Sequence, residues 1–189
     1  MDKTRLEAFS DGVVAILITI MVLELKAPEE ATWEALRPLR PVFLAYVLSF
    51  VYLGIYWNNH HHMFKAVDEV NGKILWANSH LLFWLSLVPF TTAWMGATRS
   101  APAPTAAYGV VFLSAALAYT ILVQTLLAGG ANRRLARAIG RDIKGKLSIV
   151  LYVTAIALAF VNVWLADGLY VLVALIWLVP DRRIEKYAR

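Results

Sequence analysis

The sequence predicts an all-α integral membrane protein with six transmembrane helices in a single domain spanning residues 1–189. Three observations predict this. Of the 189 residues 60% are hydrophobic and only 16% charged, with a mean hydropathy of +0.61. A soluble domain of this length needs more charge on its surface. Apolar runs recur at the length, about 20 residues, that carries a helix across a bilayer. The 18 Lys and Arg fall mainly in alternate connecting segments, the pattern of an oriented multi-pass chain.

Element by element, the spans lie near 8–25, 40–57, 74–95, 105–128, 147–166 and 168–180. Pro38 and Pro41 mark the start of the second, and Pro102 and Pro104 precede the fourth. Pro89 falls inside the third, where a missing N–H and a ring clash predict a kink. The last two spans are short, and Ala166-Asp167-Gly168 reads as the turn of a tight helical hairpin. The aromatic share of 12%, with seven Trp and eight Tyr, suits rings anchored at headgroup level.

Orientation follows from the basic residues. Fourteen of the 18 lie in the amino terminus (Lys3, Arg5), the second and fourth loops and the tail. The first loop (Lys26, Arg37, Arg40) and the third (Arg99) hold the remaining four. Both termini are therefore expected in the cytoplasm, consistent with an even number of spans. Residues 1–12 mix both charge signs, and Asp11 sits where a cleavable signal core would begin, so no signal peptide is expected. The net charge of +5 is explained by membrane orientation rather than nucleic-acid binding, and the absence of Cys excludes disulfides and thiolate metal sites. The basic loop from Arg133 to Lys146 reads as a membrane-surface segment attracted to anionic lipid.

The first span carries two messages. At about 100° per residue, Ile16, Ile20, Leu23 and Thr19 share one face with Phe9, Gly12 and, about three turns below, Arg5. Ser10 and Asp11 point away from it. An ionisable group at the edge of a bilayer segment is costly and usually marks a function. The second span runs back through Trp57, Asn58, Asn59, His60, His61 and His62, and the third begins with Asn71, Trp76, Asn78 and His80. A network of Ser10, Asp11, Asn58, one or two of the histidines and Asn78 or His80 would satisfy its own hydrogen bonds and lock the first helix against the next two. Consecutive histidines on one helix point about 100° apart, so the triple cannot bind one metal ion without unwinding. A partial site with His80 or Asp68 needs the helix to end there.

Arg5-x-x-x-Phe9-Ser10-Asp11-Gly12 resembles the R-x-x-x-F-S-D signature of the transmembrane protein 175 channels, lysosomal potassium channels in animals with smaller prokaryotic relatives. Trp57-Asn58-x-His60-His61 resembles a second feature of those relatives. The resemblance implies a homotetramer in a prokaryotic plasma membrane, with first helices lining a central pore and no T-V-G-Y-G loop. It implies a constriction of hydrophobic side chains five, nine and twelve residues after the motif Asp, with a threonine layer at eight. Those positions are Ile16, Ile20, Leu23 and Thr19. Arg5, Phe9, Ser10 and Asp11 take the motif positions, with Trp57, Asn58, His60 and His61 in the helix-locking network. The single motif copy implies four subunits rather than two.

The function expected is a potassium-selective or weakly selective cation channel gated by a hydrophobic constriction, not an enzyme. It needs no cofactor beyond permeant K⁺ and has as partners other copies of itself and lipid. Glu24, Glu29, Glu30 and Glu34 would make the outer mouth acidic. Two alternatives stay open. One is a proton-conducting channel or transporter using Asp11 and the histidines. The other is a metal-binding membrane enzyme using His60, His61, His62 and His80.

Overall fold

Proline and side-chain caps decide where the helices begin. A computed structural model describes residues 2–128, 132 and 142–178. Asp2 caps the first helix, α1 (Lys3–Met21), accepting the Thr4 N–H at 3.0 Å. A 3-10 turn over Val22–Glu24 closes it. A second 3-10 segment, Glu34–Leu39, leads into α2 (Arg40–Lys65), where Pro41 lies in the first turn and its missing N–H costs nothing. Then follow α3 (Gly72–Ser86), α4 (Val88–Ala97), α5 (Pro102–Leu127), α6 (Ile143–Leu158) and α7 (Val163–Leu178).

The third span is two helices rather than one bent rod. Pro89 cannot donate to the turn behind it, so α3 ends at Ser86 and α4 begins at Val88, with Thr91 N–H returning to the Leu87 carbonyl at 3.2 Å. Together they still cover 26 residues, enough to cross a bilayer. The segments Lys3–Glu24, Glu34–Lys65 and Pro102–Leu127 are likewise long and apolar enough, and α6 and α7 are shorter at 16 residues each. Among the described residues, four units are thus long and apolar enough to cross a membrane, and α6 and α7 add two shorter helices.

Three predicted boundaries move. The last hairpin turns at Ala159–Asn162, not at Ala166-Asp167-Gly168. Asn162 accepts the Trp164 N–H at 3.0 Å and so starts α7, while Phe160, Val161 and Asn162 N–H groups tighten the end of α6. Asp167 and Gly168 stay inside α7. In addition, α2 continues eight residues past the predicted 57, so His60, His61 and His62 are all helical. Pro102 and Pro104 lie inside the first turn of α5 rather than ahead of it. Most of the basic loop, residues 133–141, and the tail from 179 lie outside the described residues.

Helix α5 is the axis of the bundle, packing on α3, α4, α6 and α7, whereas α1 lies at the margin against α2, α3 and α4. Buried alanines at 115, 118, 155, 159, 166 and 174 let these backbones approach closely. Aromatic rings fill the centre: Tyr52 stacks on Phe112 at 4.2 Å, and Tyr108 meets Tyr170 at 5.4 Å. Their hydroxyls are satisfied within the bundle. Tyr52 donates to the Tyr170 carbonyl (2.6 Å) and Tyr170 to the Thr105 carbonyl (3.0 Å). Ser49 hydrogen-bonds Thr92 (2.7 Å) and Tyr108 (3.1 Å), tying α2 to α4 and α5.

Candidate pore-lining face and its anchoring network

Helix α1 has a buried face and a bare one. Leu6, Ser10, Val14, Leu17 and Met21 recur every three or four residues and pack inward. On the other side Arg5, Phe9, Gly12, Ile16, Thr19, Ile20 and Leu23 form an exposed stripe. Ile16 is 60% exposed and Leu23, in the 3-10 turn that closes α1, 72%, large values for aliphatic residues. A Cβ built on Gly12 meets nothing within 4 Å, so this face is open along its length. Thr19 is the hydroxyl of the stripe. It donates back to the carbonyls of Ile16 (2.9 Å) and Ala15 (3.1 Å), which leaves its oxygen lone pairs outermost.

The buried face is pinned by a polar chain. Ser10, 2% exposed, donates to the Leu6 carbonyl at 2.9 Å and accepts from Asn78 Nδ2 at 2.9 Å. Asn78, fully buried on α3, accepts from His60 Nε2 at 2.7 Å through its amide oxygen, so the His60 proton sits on Nε2. The His60 ring in turn stacks on Phe64 at 4.4 Å. One turn of each of three helices is joined here by direct side-chain hydrogen bonds. Buried polar groups are tolerated in an apolar bundle on that condition.

Asp11 lies beside this chain rather than in it. Its Oδ1 accepts the indole N–H of Trp57 at 3.0 Å near the surface, and Trp57 lies almost parallel to His61 at 5.8 Å. Lys3 adds a further tie, donating to the Val67 carbonyl at 2.9 Å beyond the end of α2. Ser10, Asp11, Trp57, His60 and Asn78 are therefore brought together, with His61 as a stacking neighbour. Asn58 is half-buried but outside the network, and His80 instead accepts from Trp84 Nε1 at 3.0 Å on the exposed side of α3. Arg5 and Phe9 stand on the open stripe, not in the network. Of the two α3 candidates the apolar surroundings select Asn78, because only its direction faces α1. Glu24, Glu29, Glu30 and Glu34 are all exposed, in the segment that follows α1.

The histidine triple offers no chelating cluster. His60 is engaged by Asn78, His61 by Trp57, and no group of three His, Asp or Glu side chains among the described residues converges on one point. The continuous helix is the physical reason, since it splays the rings. Sequence reasoning missed the Ser49–Thr92–Tyr108 knot and two close helix contacts. A Cβ on Gly96 would stand 2.7 Å from Val42 Cα, and one on Gly109 would collide with the Tyr170 hydroxyl. Glycine inside an apolar run was the signal available for both.

With the bare aliphatic stripe and its anchor in view, comparison with known proteins becomes decisive. A family model described as endosomal/lysosomal potassium channel TMEM175 matches residues 5–89. A protein of Chryseobacterium sp. (strain P1-3), named as a potassium channel, is 57% identical over 187 residues, covering 98% of this chain and 97% of the relative. The chain belongs to the TMEM175 family. The crystal structure of a lysosomal potassium-selective channel TMEM175 homolog from Chamaesiphon minutus superposes with a TM-score of 0.82 at 32% identity, over 96% of this chain and 97% of that one. The endosomal/lysosomal proton channel TMEM175 of Gallus gallus is 40% identical over 81 residues, 36% of this chain and 16% of that protein. As a TMEM175 member with these apolar helices, the chain is a multi-pass membrane protein.

Proposed function

We propose that this TMEM175 member is a potassium-selective cation channel of a prokaryotic plasma membrane, assembled as a homotetramer with both termini in the cytoplasm. The observation that carries the reading is the exposed stripe Ile16–Thr19–Ile20–Leu23 on a helix whose opposite face is pinned by Ser10, Asn78 and His60. An aliphatic ladder open along a membrane-length helix needs lipid, a partner or a pore to cover it. Relatives named as potassium channels support the last.

Four copies of α1 around a central axis place Ile16, Ile20 and Leu23 in successive rings. Such rings coordinate nothing; they narrow the path and expel water, which penalises a tightly hydrated ion more than a loosely hydrated one. Potassium gives up its shell more readily than sodium. The Thr19 ring supplies outward lone pairs from four hydroxyls, the one polar layer between the aliphatic rings. Four Arg5 side chains at the inner end would oppose cations unless neutralised, and Glu7 of the same helix turn is the nearest acid in sequence. Enzymatic chemistry forms no part of this reading, since the family is one of ion channels.

A second reading, proton conduction, is favoured by Asp11, a carboxylate held near the surface by Trp57, and by relatives named as proton channels. Liposome flux decides between them. Potassium flux above sodium flux, altered by Ile16→Asn and surviving Asp11→Asn, supports the channel with its constriction on α1. Flux that follows only the proton gradient and falls in Asp11→Asn supports the second. No flux from correctly inserted protein defeats both.

A further inference from the structure

Away from α1, an open trough of about 500 Å³ runs along the seam between α2 and α7. Its walls are aliphatic: Leu44, Val47 and Leu48 of α2 face Val171, Leu175 and Leu178 of α7. From Trp164 to Leu178 the seam is about 20 Å long at 1.5 Å per residue, the reach of one extended acyl chain. None of the α1 stripe contributes to it.

The end of the trough opposite the amino terminus is charged. Arg40 and Arg99 line it beside Ser100, Trp164 and Asp167. No ion pair joins either guanidinium to a carboxylate among the described residues. Ser100 lies against the Asp167 carboxylate, yet Asp167 Oδ1 is buried without a hydrogen-bond partner there. Arg99 and Ser100 both hold left-handed backbone, with φ of 53° and 56°. Non-glycine residues adopt that conformation at a cost, and such strain collects at ligand clamps. Here it turns Arg99 and Ser100 onto the rim.

We propose that this trough binds a phospholipid with a phosphoethanolamine headgroup, its phosphate between Arg40 and Arg99, its ammonium on Asp167 and one acyl chain along the α2–α7 seam. Charge complementarity selects this occupant. Two guanidiniums suit a phosphate, and the half-buried Asp167 carboxylate that lines the same end suits an ammonium. A choline headgroup has no N–H to give, and a glycerol headgroup has no cation to set against Asp167. Trp164 lies in the first turn of α7 and lines the trough, and an indole ring there suits a headgroup. The inference does not depend on which ion the protein conducts.

Native mass spectrometry of the delipidated, full-length protein tests it, because the same spectrum reports whether each variant remains assembled. With dioleoyl phosphatidylethanolamine, phosphatidylcholine and phosphatidylglycerol offered in turn, the ethanolamine lipid is expected to bind about tenfold more tightly, the worth of one charge-assisted hydrogen bond. Arg40→Ala and Arg99→Ala should weaken all three lipids, and Asp167→Asn should remove the preference for ethanolamine alone. Equal retention of the three lipids, or wild-type binding by the rim variants, overturns the proposal. So does a cryo-EM map in phosphatidylethanolamine nanodiscs that shows side chains of a second copy filling the trough. Acyl-shaped density ending between Arg40 and Arg99 upholds it.

Discussion

Asn78 on α3 hydrogen-bonds Ser10 on α1 through its amide nitrogen at 2.9 Å while its oxygen holds His60 on α2 at 2.7 Å. One fully buried amide therefore decides the rotation of α1, and with it which residues remain outside. Turning α1 by one residue would break the Ser10 bond and bury Ile16 in place of Leu17.

Replacing Asn78 with Leu should accordingly be severe. Ser10 and His60 both lose a buried partner, at about 1–3 kcal/mol for each group left unsatisfied. The melting temperature of the purified protein should fall well below wild type, and Ser10→Ala added to Asn78→Leu should recover part of the loss. A melting curve unchanged in Asn78→Leu would show that the network is not what holds α1.

The two faces of α1 should respond oppositely to the same change. Ile16→Asn places a polar group on the open stripe and should leave the fold intact while raising conductance and relaxing ion preference. Leu17→Asn buries that amide without a partner and should destabilise the subunit by about 2 kcal/mol or more. Flux and melting measured on both variants separate pore from core.

Thr19→Val removes a hydroxyl that bonds only its own helix backbone. Stability should change by less than about 0.5 kcal/mol, as at surface positions. The potassium-to-sodium permeability ratio should fall. A ratio equal to wild type would remove Thr19 from ion preference.

Glycines supply a packing test. Gly96→Ala presses a methyl to 2.7 Å from Val42 Cα and should cost about 1–3 kcal/mol through forced separation of α2 and α4. Gly12→Ala meets only open space within the subunit and should gain about 0.5–1 kcal/mol of helix stability. If Gly12→Ala nevertheless abolishes assembly or flux, another subunit must approach that point.

The residues of α1 alone were enough to predict its two faces, because a 3.6-residue repeat fixes side-chain direction once the helix exists. Apolar length was likewise enough for the four units that can cross a bilayer, and Pro89 for the interruption of the third. Those features are local. The partner of Ser10 is not local: Asn58, Asn78 and His80 could each hydrogen-bond a hydroxyl, and only the packing of α3 against α1 aims Asn78 inward and leaves His80 to Trp84. The last hairpin shows the same division. Asp167 and Gly168 look like a turn in isolation, but Asn162 captures a backbone N–H first and the helix then runs on through both. Composition and periodicity state what each segment can do. Which of several equivalent polar groups is satisfied depends on the neighbours that tertiary packing brings within hydrogen-bond reach.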